Sequence, residues 1–144
     1  MNLPVKTITD IRDLPPCYDP AKYAPEDWQG TALDVLKAAE VPAQDRIWLV
    51  CHEGWIDDRT LRLFTVWCAR QMLAMVDDPD PRSVAACDVA ERYANGQATE
   101  TELEAALSAA RDAAWAAART VSRLAECTAA LDVQVAHLIG MLER

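Results

Sequence analysis

Cys51, His52 and Glu53 are consecutive and bring together a thiol, an imidazole and a carboxylate, the side chains used in metal ligation and in cysteine nucleophilic catalysis. Neighbouring residues on a helix point about 100° apart, so these three converge only if another group joins them. His137 is the one other histidine. The expected arrangement is Cys51 in the core, His52 and Glu53 on the surface, and no metal or cofactor. Asp77, Asp78 and Asp80 form an acidic turn without the glycine and distal glutamate of a calcium loop, so capping and solvation are their expected roles. Arg59, Arg62 and Arg70 could hold an anion, but Asp57, Asp58, Asp77 and Asp88 are available to them, and an internal ion-pair network is the expectation. Gly30, Gly54, Gly96 and Gly140 are isolated, which leaves no phosphate-cradling loop, and no serine sits in a G-x-S-x-G elbow. A non-enzymatic protein is therefore expected. Of the five tryptophans, Trp48 and Trp67 read as buried. Trp28, Trp55 and Trp115 read either as core residues or as exposed anchors for a protein partner, with Asp57 and Asp58 as charged companions.

The elements that would position these residues follow from punctuation and periodicity. Five prolines in the first 25 residues predict an arm over 1–30 that is not helical, pinned to the body by Tyr18, Tyr23 and Trp28. Val5–Thr9 has the composition of a short strand, with no partner evident. The remainder, 31–144, reads as a single all-helical domain. Thr31 can cap a short helix that stops before Pro42, and a second helix, 43–53, ends at Gly54. Asp57 or Asp58 can cap a third, whose Arg59, Arg62, Arg70 and Asp77 share one narrow stripe. The rest of its circumference is nearly all apolar, which predicts a place in the middle of a bundle. Asp80 and Pro81 open a fourth helix, which carries Val84, Cys87, Val89, Ala90 and Tyr93 inward and ends at Asn95 and Gly96.

Thr99 and Glu102 form a capping box, and no proline follows, so 99–143 reads as one long alanine-rich helix or two. Leu103, Leu107, Ala110, Ala114, Ala117, Val121, Leu124, Thr128, Leu131, Val135, Leu138 and Leu142 alternate in spacings of 4 and 3, a heptad seam. This seam is either an internal bundle face or a self-association surface centred on Val121, Leu124, Leu131, Val135 and Leu138. A straight helix of that length would span about 66 Å, against a radius of gyration of about 15 Å for a compact chain of this size. Such a helix must bend, fold back or project into a partner, and the place for a fold-back is 120–128, where Thr120, Ser122 and Thr128 are the weakest helix formers. The fold class is thus all-α, a bundle of five or six helices behind a proline-rich arm.

The 144 residues are 51% apolar and 26% charged, the composition of a globular chain rather than a disordered one. Acids outnumber bases 23 to 14, and a net charge of -9 disfavours direct contact with nucleic acid or anionic lipid while leaving a basic protein as a suitable partner. Residues 1–58 hold 11 acids and 5 bases, which makes the N-terminal part the acidic surface. Cys17, Cys51, Cys68, Cys87 and Cys127 include no C-x-x-C pair and read as buried free thiols. No apolar run approaches the roughly 20 residues needed to span a bilayer, and Lys6, Asp10, Arg12 and Asp13 stand where a signal peptide would be apolar, so a cytoplasmic protein is expected.

Residues 48–119 contain "DRTLRLFTVWCARQ", "DDPDPRSVAACDVAERYANGQAT" and "ARDAAWAAAR". This half of the chain resembles a loose group of uncharacterised proteins of bacteria and their phages. It is also similar to proteins assigned as immunity proteins, with a Trp/Cys/Ala helix, a D-P-R turn, a helix ending in glycine and a long alanine-rich helix. The resemblance implies an all-α fold, a bacterial host cell, and a role in phage–bacterium or toxin conflict; it carries no catalytic residue onto this chain. The expected function is a small acidic inhibitor that binds another protein, either an anti-defence (anti-CRISPR-like) protein covering a basic nucleic-acid-binding surface or an immunity protein blocking a toxin. The alternative is an oligomerisation module that dimerises through the heptad helix, so both monomer and homodimer remain open.

Overall fold

The computed structural model describes residues 2–14, 19–117 and 126–144, leaving aside the side chains of 113–117 and 126–129. Among the described residues 64% lie in seven α-helices, which makes the chain all-α. It divides into two compact units, residues 1–57 with 125–144, and residues 58–124.

The first unit begins with β1 (Lys6–Thr7) and α1 (Ile8–Arg12), followed by a 3₁₀ turn at Pro20–Lys22 and β2 (Gln29–Gly30). The strand expected to stand alone is paired: β1 runs antiparallel to β2, with Lys6 opposite Gly30 and Thr7 opposite Gln29. The arm is also partly helical, because no proline falls between Pro4 and Pro15 and Ile8–Arg12 is free to make helical bonds. Thr7 caps α1, its amide donating to the Asp10 carboxylate at 2.7 Å. α2 (Ala32–Lys37) repeats the device, with the Thr31 amide donating to Asp34 at 2.7 Å. α3 (Ala43–Val50) is shorter than expected, since the chain turns through Cys51–Glu53 into Gly54 at φ 81°. α7 (Glu126–Leu142) packs against both α2 and α3. Leu36, Val50, Leu138 and Leu142 are almost wholly buried in this unit. Arg46 ties the layer together: it donates to the Leu36 carbonyl at 2.7 Å and stands 3.8 Å from Asp132.

The second unit holds α4 (Asp58–Leu73), α5 (Pro81–Ala94) and α6 (Glu100–Ala117). Here α5 rather than α4 is the central helix, packed on α4 and on α6. Val66, Cys87, Ala90 and Leu103 form the core, with Ala69, Leu73, Val89 and Tyr93 against it. Val84, expected inside, is exposed. α5 starts where its punctuation places it, the Asp80 side chain accepting from the Arg82 amide ahead of Pro81 at the first helical position. It ends in a Schellman motif, the Gln97 amide donating to the Arg92 carbonyl at 2.7 Å and that of Gly96 to Tyr93 at 3.0 Å, with Gly96 at φ 71°. The α6 capping box is present in both directions: the Thr99 amide donates to Glu102 at 2.7 Å, and the Glu102 amide to the Thr99 hydroxyl at 3.2 Å. The fold-back expected at 120–128 falls largely on 118–125, outside the described residues.

Candidate functional site

The candidate chemistry at residues 51–53 is dispersed by the turn that holds it. The carbonyl of Trp48 lies 2.8 Å from His52 Nδ1, and the two rings meet edge-on with centroids 4.3 Å apart. Cys51, expected in the core, is exposed instead because α3 ends at Val50, three residues short of its expected end; protein atoms around its sulfur still push the thiol pKa up, away from the reactive thiolate. Among the described residues no group of three His, Cys, Asp or Glu is placed to hold a metal ion.

The arginines of α4 are engaged within their own unit. Arg70 donates to Asp88 at 2.9 Å and to Glu91 at 2.6 Å, and these bonds raise its pKa. Arg59 donates to Asn95 at 2.8 Å, and the Arg62 guanidinium lies 4.8 Å from the centre of the Tyr93 ring. In the acidic turn, Arg82 grips Asp80 with two bonds of 3.0 and 2.8 Å, which lowers the carboxyl pKa to about 2. Asp77 and Asp78 are exposed and have no ion-pair partner among the described residues.

The proposed anchors separate. Trp55 is 2% exposed, which removes it as a surface anchor: it follows Gly54, whose left-handed backbone turns the chain back into the core. Trp28 is half-buried and lines a cavity of about 70 Å³ with Ile11, Tyr23, Val41 and Leu49. The Trp115 side chain lies outside the described residues. Asp57 and Asp58 are exposed at the start of α4, where the helix dipole favours negative charge. Val121 and Leu124 of the seam are outside the described residues, Leu131 is half-buried, and Val135 and Leu138 are buried. Val135 and Leu138 therefore serve as core of the first unit, not as a self-association surface.

Electrostatics distinguish the first unit. Its sequence holds 13 acids against 6 bases. Three of those bases are paired internally: Arg12 with Glu26 at 2.6 Å, Lys37 with Glu143 at 2.7 Å and Arg46 with Asp132 at 3.8 Å. Asp13, Asp27, Glu40 and Glu53 remain exposed without an ion-pair partner among the described residues. The sequence reading missed a second surface, Met72, Met75 and Val76, which are 65%, 53% and 52% exposed. The signal was present in α4, whose apolar circumference is wider than one neighbouring helix covers. Compared with family models, curated proteins and solved structures, the chain matches none.

Proposed function

We propose that this protein is a non-enzymatic acidic inhibitor that binds and covers a basic surface of another protein, in the setting of phage–bacterium conflict. It would act as an anti-defence protein of the anti-CRISPR-like kind or as a toxin immunity protein. The observation that carries this reading is the excess of exposed carboxylates on the first unit after its internal ion pairs are formed. Such a field steers a basic partner and selects against nucleic acid and anionic lipid. The absence of the glycine-rich and nucleophile-elbow motifs, and the dispersal of Cys51, His52 and Glu53, support binding over catalysis.

The test is affinity capture from bacterial lysate, identification of the retained protein by mass spectrometry, and an assay of that protein's own activity with and without the inhibitor. A basic nuclease, defence protein or toxin should be retained, lose activity when bound, and be released as salt shortens the screening length from about 10 Å at 0.1 M to about 3 Å at 1 M. Asp57→Lys combined with Asp58→Lys should weaken the complex by about tenfold, or about 1.4 kcal/mol. Unchanged partner activity, or binding indifferent to salt, would reject the proposal.

A further inference from the structure

Seven large apolar side chains are exposed among the described residues, and three of them, Met72, Met75 and Val76, occupy a single turn. Past Leu73 the chain tightens into turns: the Ala74 amide donates to Arg70 at 3.0 Å, Met75 to Met72 at 3.1 Å and Val76 to Leu73 at 3.1 Å. The three exposed side chains thus fall within five consecutive residues, at the C-terminal end of α4 and the turn that follows it. The loop over 74–80 joins α4 to α5, so exposed Val84 in the first turn of α5 belongs to the same end of the helix pair. Asp77 and Asp78 follow directly, exposed and without an ion-pair partner among the described residues. Arg70 does not serve them, because it is committed to Asp88 and Glu91, and Arg82 is committed to Asp80.

An apolar edge next to uncompensated carboxylates discriminates among occupants. A second copy docked about a twofold axis would bring a second Asp77 and Asp78 into the same interface with no cation to meet either pair, in a chain of net charge -9. An anionic lipid surface is repelled for the same reason. A helix with one apolar face and flanking Lys or Arg satisfies both parts: its apolar face covers the methionines and valines, and its cations meet the aspartates. Methionine suits this role because its flexible, polarisable side chain repacks against differently shaped apolar surfaces.

We propose that the edge formed by Met72, Met75 and Val76, with Asp77 and Asp78 beside it, is the docking surface for a basic amphipathic helix of a partner protein. The proposal rests on the protein-binding reading above and adds the kind of segment that is recognised and the place where it sits.

The experiment uses the full chain with isotope-labelled methionine methyl groups and a synthetic helical peptide of leucine and lysine in amphipathic order. The Met72 and Met75 methyl signals should shift saturably while that of Met141 stays in place. Met72→Gln with Met75→Gln should weaken binding at least about tenfold, and Asp77→Asn with Asp78→Asn should weaken it and flatten its salt dependence. A peptide with glutamine in place of lysine should bind at least about tenfold more weakly. Absence of shifts, shifts led by Met141, equal binding of the neutral peptide, or Met72 and Met75 shifts that appear with rising protein concentration alone would each overturn the proposal. Undiminished capture of the lysate partner by the Met72→Gln, Met75→Gln protein overturns this docking edge and leaves the inhibitor reading intact. Peptide binding at the edge without inhibition of any captured protein does the reverse.

Discussion

Gly30 shows a constraint set by a single missing carbon. A Cβ there would stand 2.6 Å from Trp28 Cζ2 and 3.1 Å from the Asp34 Cβ, so the indole lies where a side chain would be. Gly30→Ala is expected to cost about 1–3 kcal/mol through displacement of that ring, measured as the shift in a urea unfolding curve. The capping carboxylates act at the same scale. Asp10, Asp34 and Glu102 are held below the ordinary carboxylate range by hydrogen bonds from Thr7, Thr31 and Thr99. Arg82 lowers Asp80 from 3.8 to about 2. A carboxyl whose folded-state pKa is depressed contributes its stability above the unfolded-state value and loses it as pH falls through the folded-state value. The melting temperature should therefore fall steadily from about pH 4 toward pH 2, and Asp80→Asn should flatten the last part of that decline, as calorimetry across this range would show.

Helix ends were legible at α5 and α6, where a short hydrogen-bonded motif marks them, whereas the Thr7–Asp10 box that opens α1 was missed within the proline-rich arm. Asp80 and Pro81 open α5, Asn95 and Gly96 close it, and Thr99 with Glu102 opens α6, because each motif is complete within a few residues. The β1–β2 pairing was not legible: each strand has two residues, and the partner lies more than 20 positions away. The heptad periodicity correctly marked an apolar face on α7, but periodicity does not say whether the opposing surface belongs to the same chain. α2 and α3 supply it, and Leu138 is left with no exposed surface. Leu138→Glu should consequently unfold the first unit instead of releasing a folded monomer, at a cost beyond the roughly 2–5 kcal/mol of a cavity mutation. Leu107→Glu, at a seam position 43% exposed, should change stability by no more than about 0.5 kcal/mol. Circular dichroism together with sedimentation of both variants separates these outcomes, and a folded Leu138→Glu monomer would contradict the buried seam.

At the scale of the whole molecule the governing quantity is charge. A chain of net charge -9, with 13 acids against 6 bases in the first unit, repels itself when folded, and added salt screens that repulsion. Raising sodium chloride from about 0.02 to about 0.5 M should increase stability by about 1 kcal/mol, seen as a rise in melting temperature of roughly 3 °C. A melting temperature that falls over this range would mean that the internal ion pairs, such as Arg12 with Glu26, outweigh the repulsion.

The helical class, the limits of α5, the start of α6 and the acidic surplus are written in the chain itself, since each depends on composition or on residues a few positions apart. Tertiary packing decided which apolar surfaces are covered. Trp55 has a sequence context that fits an anchor, yet Gly54 turns it inward; Cys51 reads as core, yet the end of α3 leaves it exposed. α4 is apolar around most of its circumference, but α5 takes the central place in its unit, and Met72, Met75 and Val76 are left uncovered. Burial belongs to the pair of surfaces that meet, and a periodic pattern on one helix specifies only its own half of that pair.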